Sequence, residues 1–211
     1  MHIQGGKSGN MGNIGKICVY CGSGPGTDPA FVRAAREFGQ ILAQNRIGLV
    51  YGGGDSGMMG TVAAAVRNQG GNVVGIIPEF LLNKERVGRD ASVIVTKDMH
   101  ERKRKMFEMA DAFVALPGGV GTLEEIVEQM TWAQLGRHKK PILLANIGGF
   151  WEPLCALLDH MKALDFIRRD LNFDLLVADN VDDILPMLRK AADAVSDADK
   201  NMTAAAPDQL A

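Results

Sequence analysis

A chain of 211 residues, 46% hydrophobic and 23% charged, can bury one good core, and its length favours a single α/β domain over two. Its formal net charge of -2 gives no global attraction to a nucleic-acid polymer or an anionic membrane. No apolar run could span a bilayer, and the polar, glycine-rich start from Met1 to Gly12 is not built like a signal peptide, so the expected location is cytoplasmic.

Residues 1–15 read as a disordered lead. The first strand is expected over Lys16 to Cys21. It opens into Gly22-Ser23-Gly24-Pro25-Gly26-Thr27-Asp28-Pro29, where Asp28 suits an N-cap and Pro29 a first helical position, and the helix then runs to about Gln44. A second strand, Ile47 to Tyr51, precedes the glycine turn Gly52 to Gly60 and an alanine-rich helix to about Gln69, whose small residues favour close packing on the sheet. Asn72 to Ile77 is a third strand, Pro78 to Asp90 a longer polar connection placed to reach over a site, and Ala91 to Val95 a fourth strand. A helix from about Met99 to Ala110 leads into Ala112 to Leu116, a continuous apolar run of the kind buried on both faces of a parallel sheet.

After a second glycine turn and a helix to about Leu135 come a strand at Pro141 to Ala145 and a helix from Phe150 to Leu164. A short strand at Leu175 to Val177 and a helix from Val181 to about Ala192 complete the order, and residues 193–211 read as a disordered tail. Strands alternating with helices predict an α/β fold, a doubly wound parallel sheet with helices on both faces, in one domain over 16–192. Ligands then bind at the carboxyl ends of the strands, where the glycine turns fall.

The chemistry concentrates in Pro117-Gly118-Gly119-Val120-Gly121-Thr122-Leu123-Glu124-Glu125. Three glycines admit a ligand where a Cβ would collide, and Thr122 is expected to open a helix whose first N–H groups lack partners, a turn that favours phosphate. Two glutamates beside a phosphate cradle repel that ligand, so they need another role. Thr122-x-x-Glu125 has the spacing of a capping box, which by spacing alone would make Glu125 a structural residue. On the preceding helix, Glu101, Arg104, Lys105 and Glu108 fall on one side. Arg102 and Lys103 instead flank the arc of Met99, Met106, Ala110 and Phe113, and two cations on a core-facing margin need an anionic partner.

Other signals are weaker. Gly52, Gly54 and Gly57 match G-x-G-x-x-G, with Glu79 roughly where a ribose-binding acid would stand, so a dinucleotide site competes there with close packing and a mononucleotide. A Walker A loop is excluded by the missing Lys-Ser/Thr. Cys18, Cys21 and Cys155 are read as reduced thiols, Cys18-x-x-Cys21 lying within a strand rather than at a helix start. His2, His100, His138 and His160 show no metal-ligand spacing, and His100 and His138 are read as surface or hydrogen-bonded side chains. Trp132 falls off the apolar arc of Leu123, Ile126, Val127 and Met130 and is expected to be exposed to a partner.

Met99-His100-x-Arg102-Lys103, then Pro117-Gly118-Gly119-x-Gly121-Thr122-x-x-Glu125, then Thr131-Trp132-Ala133-Gln134-Leu135-Gly136 closely resembles the Lonely guy family. These are cytokinin riboside 5'-monophosphate phosphoribohydrolases, many of whose bacterial members were labelled "possible lysine decarboxylases". The resemblance covers about Lys16 to Leu188. It implies a Rossmann-like fold, a homodimer with the active site near the subunit interface, and hydrolysis of the N-glycosidic bond of a nucleoside 5'-monophosphate to free base and ribose 5-phosphate, with no metal or organic cofactor. Carried onto this chain, Arg102 and Glu125 would be the catalytic pair. Ser23, Gly53, Lys103, Gly118, Gly119, Val120, Gly121, Thr122 and Glu124 would line the nucleotide site. No residue suits a pyridoxal phosphate lysine, so decarboxylation is not expected. The competing readings are a non-catalytic mononucleotide-binding module and an NAD-dependent oxidoreductase built on Gly52 to Gly57.

Overall fold

The computed structural model describes residues 14–82, 92–167 and 174–204. Within them lie strands β1 (Lys16–Tyr20), β2 (Gly48–Tyr51), β3 (Val73–Pro78), β4 (Ser92–Thr96), β5 (Ala112–Ala115), β6 (Ile142–Ala145) and β7 (Leu175–Ala178). The helices are α1 (Pro29–Gln44), α2 (Gly57–Arg67), α3 (Met99–Met109), α4 (Val120–Gln134), α5 (Glu152–Ala163) and α6 (Val181–Ala204). All described strand pairs are parallel, in the order β4-β3-β2-β1-β5-β6-β7.

The chain thus lays β1 in the middle, builds outward to β4, and returns to add β5 on the other side of β1. Ile17 of β1 pairs with Leu49 on one flank and Ala112 on the other. In open α/β sheets the crevice beyond the strand carboxyl ends at such a reversal is where ligands bind. The predicted doubly wound parallel sheet is therefore present, and it places the β1 and β5 turns side by side.

Alternation along β1 splits the core in two. Ile17, Val19 and Cys21 join side chains of α1, α2 and α6, whereas Cys18 and Tyr20 join those of α3, α4 and α5. Cys18 and Cys21 consequently face opposite sides of the sheet. Both thiols are buried and unpaired, and burial holds them protonated well above the ordinary thiol range. The close packing foreseen for α2 is made against α1: a Cβ on Gly39 would lie 2.6 Å from the Val62 carbonyl oxygen.

Both ends depart from expectation. The chain is anchored from Ile14, which is buried in the core, and the amides of Gly15 and Lys16 donate to the Asp111 carboxylate at 2.8 and 2.9 Å. Residues 1–13 lie outside the described residues. At the other end α6 continues to Ala204 instead of stopping near Ala192. In the long connection after β3, a single 3-10 turn spans Glu79–Leu81, and residues 83–91 are outside the described set.

Candidate active site

The turns after β1 and β5 are tied together by the Gly22 amide, which donates to the Pro117 carbonyl at 3.1 Å. Beside them is a cavity of about 270 Å³ lined by Gly22, Ser23, Gly24, Pro117, Gly118 and Gly119 among others, with Phe31, Met58 and Phe150 as apolar walls. A larger cavity lies elsewhere, beneath α5 and α6, away from the glycine turns.

The three glycines after β5 have different reasons to be there. A Cβ on Gly118 would meet the Thr122 hydroxyl at 2.2 Å and the Gly22 amide at 2.8 Å, so Gly118 permits the turns to pack. A Cβ on Gly119 or Gly121 would meet nothing within 4 Å, and Gly119 has an ordinary φ of -93°. Neither internal packing nor left-handed backbone requires glycine at these two positions. The room they leave is on the outside, where a ligand would approach.

Helix α4 begins at Val120 with Gly119 as N-cap, and the cap makes no side-chain hydrogen bond. This overturns the capping box: Thr122 is the third helical residue, and Glu125, one turn further on, is too far along to cap. The first-turn amides therefore have no intrahelical acceptor and no side-chain cap, which leaves them for an anion. Val120 is 83% exposed and Thr122 buried.

Glu125 instead turns inward. Its carboxylate lies 3.1 Å from Arg102 Nη1, with both side chains 10% exposed. Arg102 owes its position to the start of α3, where Asp98 caps by accepting the Glu101 amide at 2.8 Å and Glu101 reaches back to the Lys97 amide at 2.9 Å. From there Arg102 Nε donates to the Ile76 carbonyl within β3, at 3.0 Å. A Cβ on Gly52 would lie 2.4 Å from Arg102 Nη2, so one glycine of the β2 turn makes room for this guanidinium.

Burial pushes the Glu125 carboxyl up to about 7, with Arg102 pulling the other way, Glu124 and Glu128 adding to the rise, and Lys103 opposing it. A carboxyl in this state exchanges its proton near neutral pH, which suits acid–base or electrostatic work on a bound molecule. Lys103 is paired with Glu124 and, at 3.0 Å, with Glu128. Burial alone would lower its pKa, but the two carboxylates raise it. The two glutamates that did not fit a phosphate cradle thus both have cations of α3 as partners.

The β2 turn does not form a dinucleotide site. A Cβ on Gly57 would lie 2.2 Å from the Ser23 carbonyl oxygen. The first amides of α2 donate to the β1 turn, Met58 to the Gly24 carbonyl at 3.4 Å and Met59 to that of Gly22 at 3.3 Å, while Ser56 Oγ donates to the Ser23 carbonyl at 3.3 Å. The positions that would receive a pyrophosphate are filled by the protein itself. Gly53, with φ of +85°, packs on Ile76 and Ile77, and Glu79 is exposed.

Ser23 stands exposed on the braced turn. His138 is hydrogen-bonded as expected, to the Gln129 carbonyl at 3.2 Å. Trp132 is half-buried, edge-on to Phe107 at 5.0 Å with Arg137 over its ring, so it is not the exposed partner contact foreseen. The exposed apolar side chains of α4 are instead Val120, Leu123 and Val127, with Leu135 at its C-cap. Sequence reasoning missed the role of Gly52 beside Arg102, the Ile76 carbonyl and Glu128. Only the last left a usable signal, its helical spacing from Glu124 opposite a cation pair.

Fold and site together define an α/β nucleotide-site protein of Rossmann-like topology, with a buried carboxylate–guanidinium pair next to an open helix N-terminus. The family model described as "Possible lysine decarboxylase" matches residues 59–188. The "Probable cytokinin riboside 5'-monophosphate phosphoribohydrolase LOG4" of Oryza sativa subsp. japonica is 42% identical over 191 residues, covering 90% of this chain and 83% of that one. The "Cytokinin riboside 5'-monophosphate phosphoribohydrolase LOG7" of Arabidopsis thaliana is 48% identical over 151 residues, 71% of this chain and 69% of that one. Among solved structures, the molybdenum cofactor binding protein of Rippkaea orientalis superposes with a TM-score of 0.62 at 23% identity, over 83% of this chain and 95% of its own, a likeness of fold. The chain belongs to the Lonely guy (LOG) family.

Proposed function

We propose that this protein hydrolyses the N-glycosidic bond of a nucleoside 5'-monophosphate, a cytokinin riboside monophosphate or AMP, to free base and ribose 5-phosphate. The observation that carries the reading is the buried Arg102–Glu125 pair beside the uncapped start of α4. The 5'-phosphate is received by the first amides of α4, with Gly119 and Gly121 leaving room for it and Ser23 at its side.

Cleavage of the bond between C1' and the base nitrogen develops positive charge on the ribose. The ionised Glu125 carboxylate stabilises that charge and accepts a proton from the attacking water. The water oxygen bonds to C1', the glycosidic electron pair leaves with the base, and the base takes up a proton. Arg102, fixed by the Ile76 carbonyl, orients the carboxylate and favours its ionised form. The family names of the relatives support the same substrate class.

The protein acts in this reading as a homodimer, for which the exposed apolar stripe of Val120, Leu123 and Val127 on α4, with Leu135 at its C-cap, supplies a surface next to the site. Three unpaired thiols fit a reducing, cytoplasmic setting, and no helix among the described residues is long and apolar enough to cross a membrane.

The deciding experiment is incubation with AMP, isopentenyladenosine monophosphate and NAD, followed by chromatography of the products. Release of free base from either monophosphate, with NAD intact, is expected. Binding without release would leave a nucleotide-binding module, and NAD turnover an oxidoreductase.

A further inference from the structure

Three carboxylates on one arc of α4, Glu124, Glu125 and Glu128, meet two cations at consecutive positions of α3. Their pairing is asymmetric. Arg102 contacts Glu125, whereas Lys103 is taken by Glu124 and Glu128 together. The Lys103 side chain is only 13% exposed, and one Glu128 oxygen, Oε2, is buried without a hydrogen-bond partner. Lysine offers three donors on a compact charge, enough to serve two carboxylates at once.

We infer that Lys103 is a positioning residue rather than a phosphate ligand: by holding Glu124 and Glu128 it keeps Arg102 for Glu125 and balances the charge around that carboxylate. This rests on the hydrolase reading only for its consequence in catalysis. The ionisable groups around Glu125 are Arg102 and Lys103 from α3, Glu124 and Glu128 from α4, Cys18 and Tyr20 from β1, and Cys21 just after it. The last three are held protonated by burial, so the balance near neutral pH is set by two cations against three carboxylates. Without Lys103, one cation faces three carboxylates. Like-charge repulsion then favours protonated Glu125, and the unpartnered Glu128 becomes a competitor for Arg102.

The test is the Glu125 titration, followed by 13C NMR in glutamate-labelled protein, alongside the pH dependence of kcat/KM for AMP. Lys103→Met is expected to move the Glu125 midpoint, and the acid limb of the profile, upward by about one pH unit. Lys103→Arg, which keeps the charge, should leave both in place, and the double variant Lys103→Met/Glu128→Gln should return both toward wild type. An unmoved midpoint in Lys103→Met, with a raised KM for AMP that Glu128→Gln does not relieve, would make Lys103 a phosphate ligand and overturn the inference. If wild-type protein cleaved neither monophosphate, the hydrolase reading would fail while the NMR titration still decided the role of Lys103.

Discussion

The turns after β2 and β5 have nearly the same composition and opposite uses. After β2, the space at the glycines is occupied by the protein: Ser23 backbone against Gly57, the Arg102 guanidinium against Gly52, and the Asp55 carbonyl 2.4 Å from a Cβ on Gly60. The first amides of α2 are bonded to the β1 turn. After β5, Gly119 and Gly121 face open space, and the first amides of α4 have neither a side-chain cap nor an acceptor within the helix. Glycine marks close approach in both, but only the neighbours show whether the approaching group is the chain itself or a ligand.

The proposed chemistry lies on the β5 side, and the largest effect is expected there. Glu125→Gln should lower kcat by on the order of a hundredfold or more, roughly 2.7 kcal/mol of transition-state stabilisation, because the amide carries no charge to stabilise the ribosyl cation. Glutamine ends the charge pairing with Arg102, but burial already favours the neutral Glu125 carboxyl in the folded state, so the melting temperature near pH 7 should change little; steady-state kinetics with thermal unfolding measures both. Turnover close to wild type would leave Glu125 only its ion pair.

Removing the phosphate tests the cradle directly. Adenosine should show kcat/KM below that of AMP by about fiftyfold, corresponding to roughly 2.3 kcal/mol from charge-assisted bonds to backbone amides. Equal values for the two substrates would mean that the open amides of α4 have another purpose.

A matched pair of substitutions then sets the two turns against each other. Gly119→Ala should change the melting temperature by no more than about 2 °C, since its Cβ meets nothing, yet raise KM for AMP by about tenfold through collision with the ligand. Gly57→Ala, at φ of +57° and against the Ser23 backbone, should cost about 2 kcal/mol or more, some 4–8 °C in a domain of this size. The comparison collapses if Gly119→Ala destabilises as much as Gly57→Ala, or if it leaves KM unchanged.

Stability against pH gives a further test. The Glu125 carboxyl titrates near 7 when folded against an ordinary value of 4.5, so between these values the folded state binds more protons than the unfolded one. Stability therefore falls as pH rises from about 4.5 to about 7, by at most about 3 kcal/mol, and levels off above. Melting temperatures from pH 4 to 8 should show this slope in wild type and a shallower one in Glu125→Gln. Parallel curves would assign the pH dependence to other groups.

Periodicity and punctuation in the sequence were enough for the alternation of strand and helix, the buried apolar strands, and hence a parallel sheet with its ligand crevice at the glycine turns. These features follow from local rules: Ala112 to Leu116 is apolar on both faces, and Asp28-Pro29 combines a favoured N-cap with a favoured first helical residue. The resemblance to the Lonely guy family, and not the spacing, marked Arg102 and Glu125 as a pair. What local spacing could not decide was where α4 begins, because Thr122 and Gly119 are both acceptable N-caps and only the packing of Gly118 against Gly22 and Thr122 selects the second. That choice moves Glu125 from the cap to the interior. The partners of Arg102, Lys103 and Gly52 come from segments far apart in the chain, brought together only when β1, β2, β3 and β5 align in one sheet. Residue types are written locally, but the acceptor that each cation finds is a property of the assembled crevice.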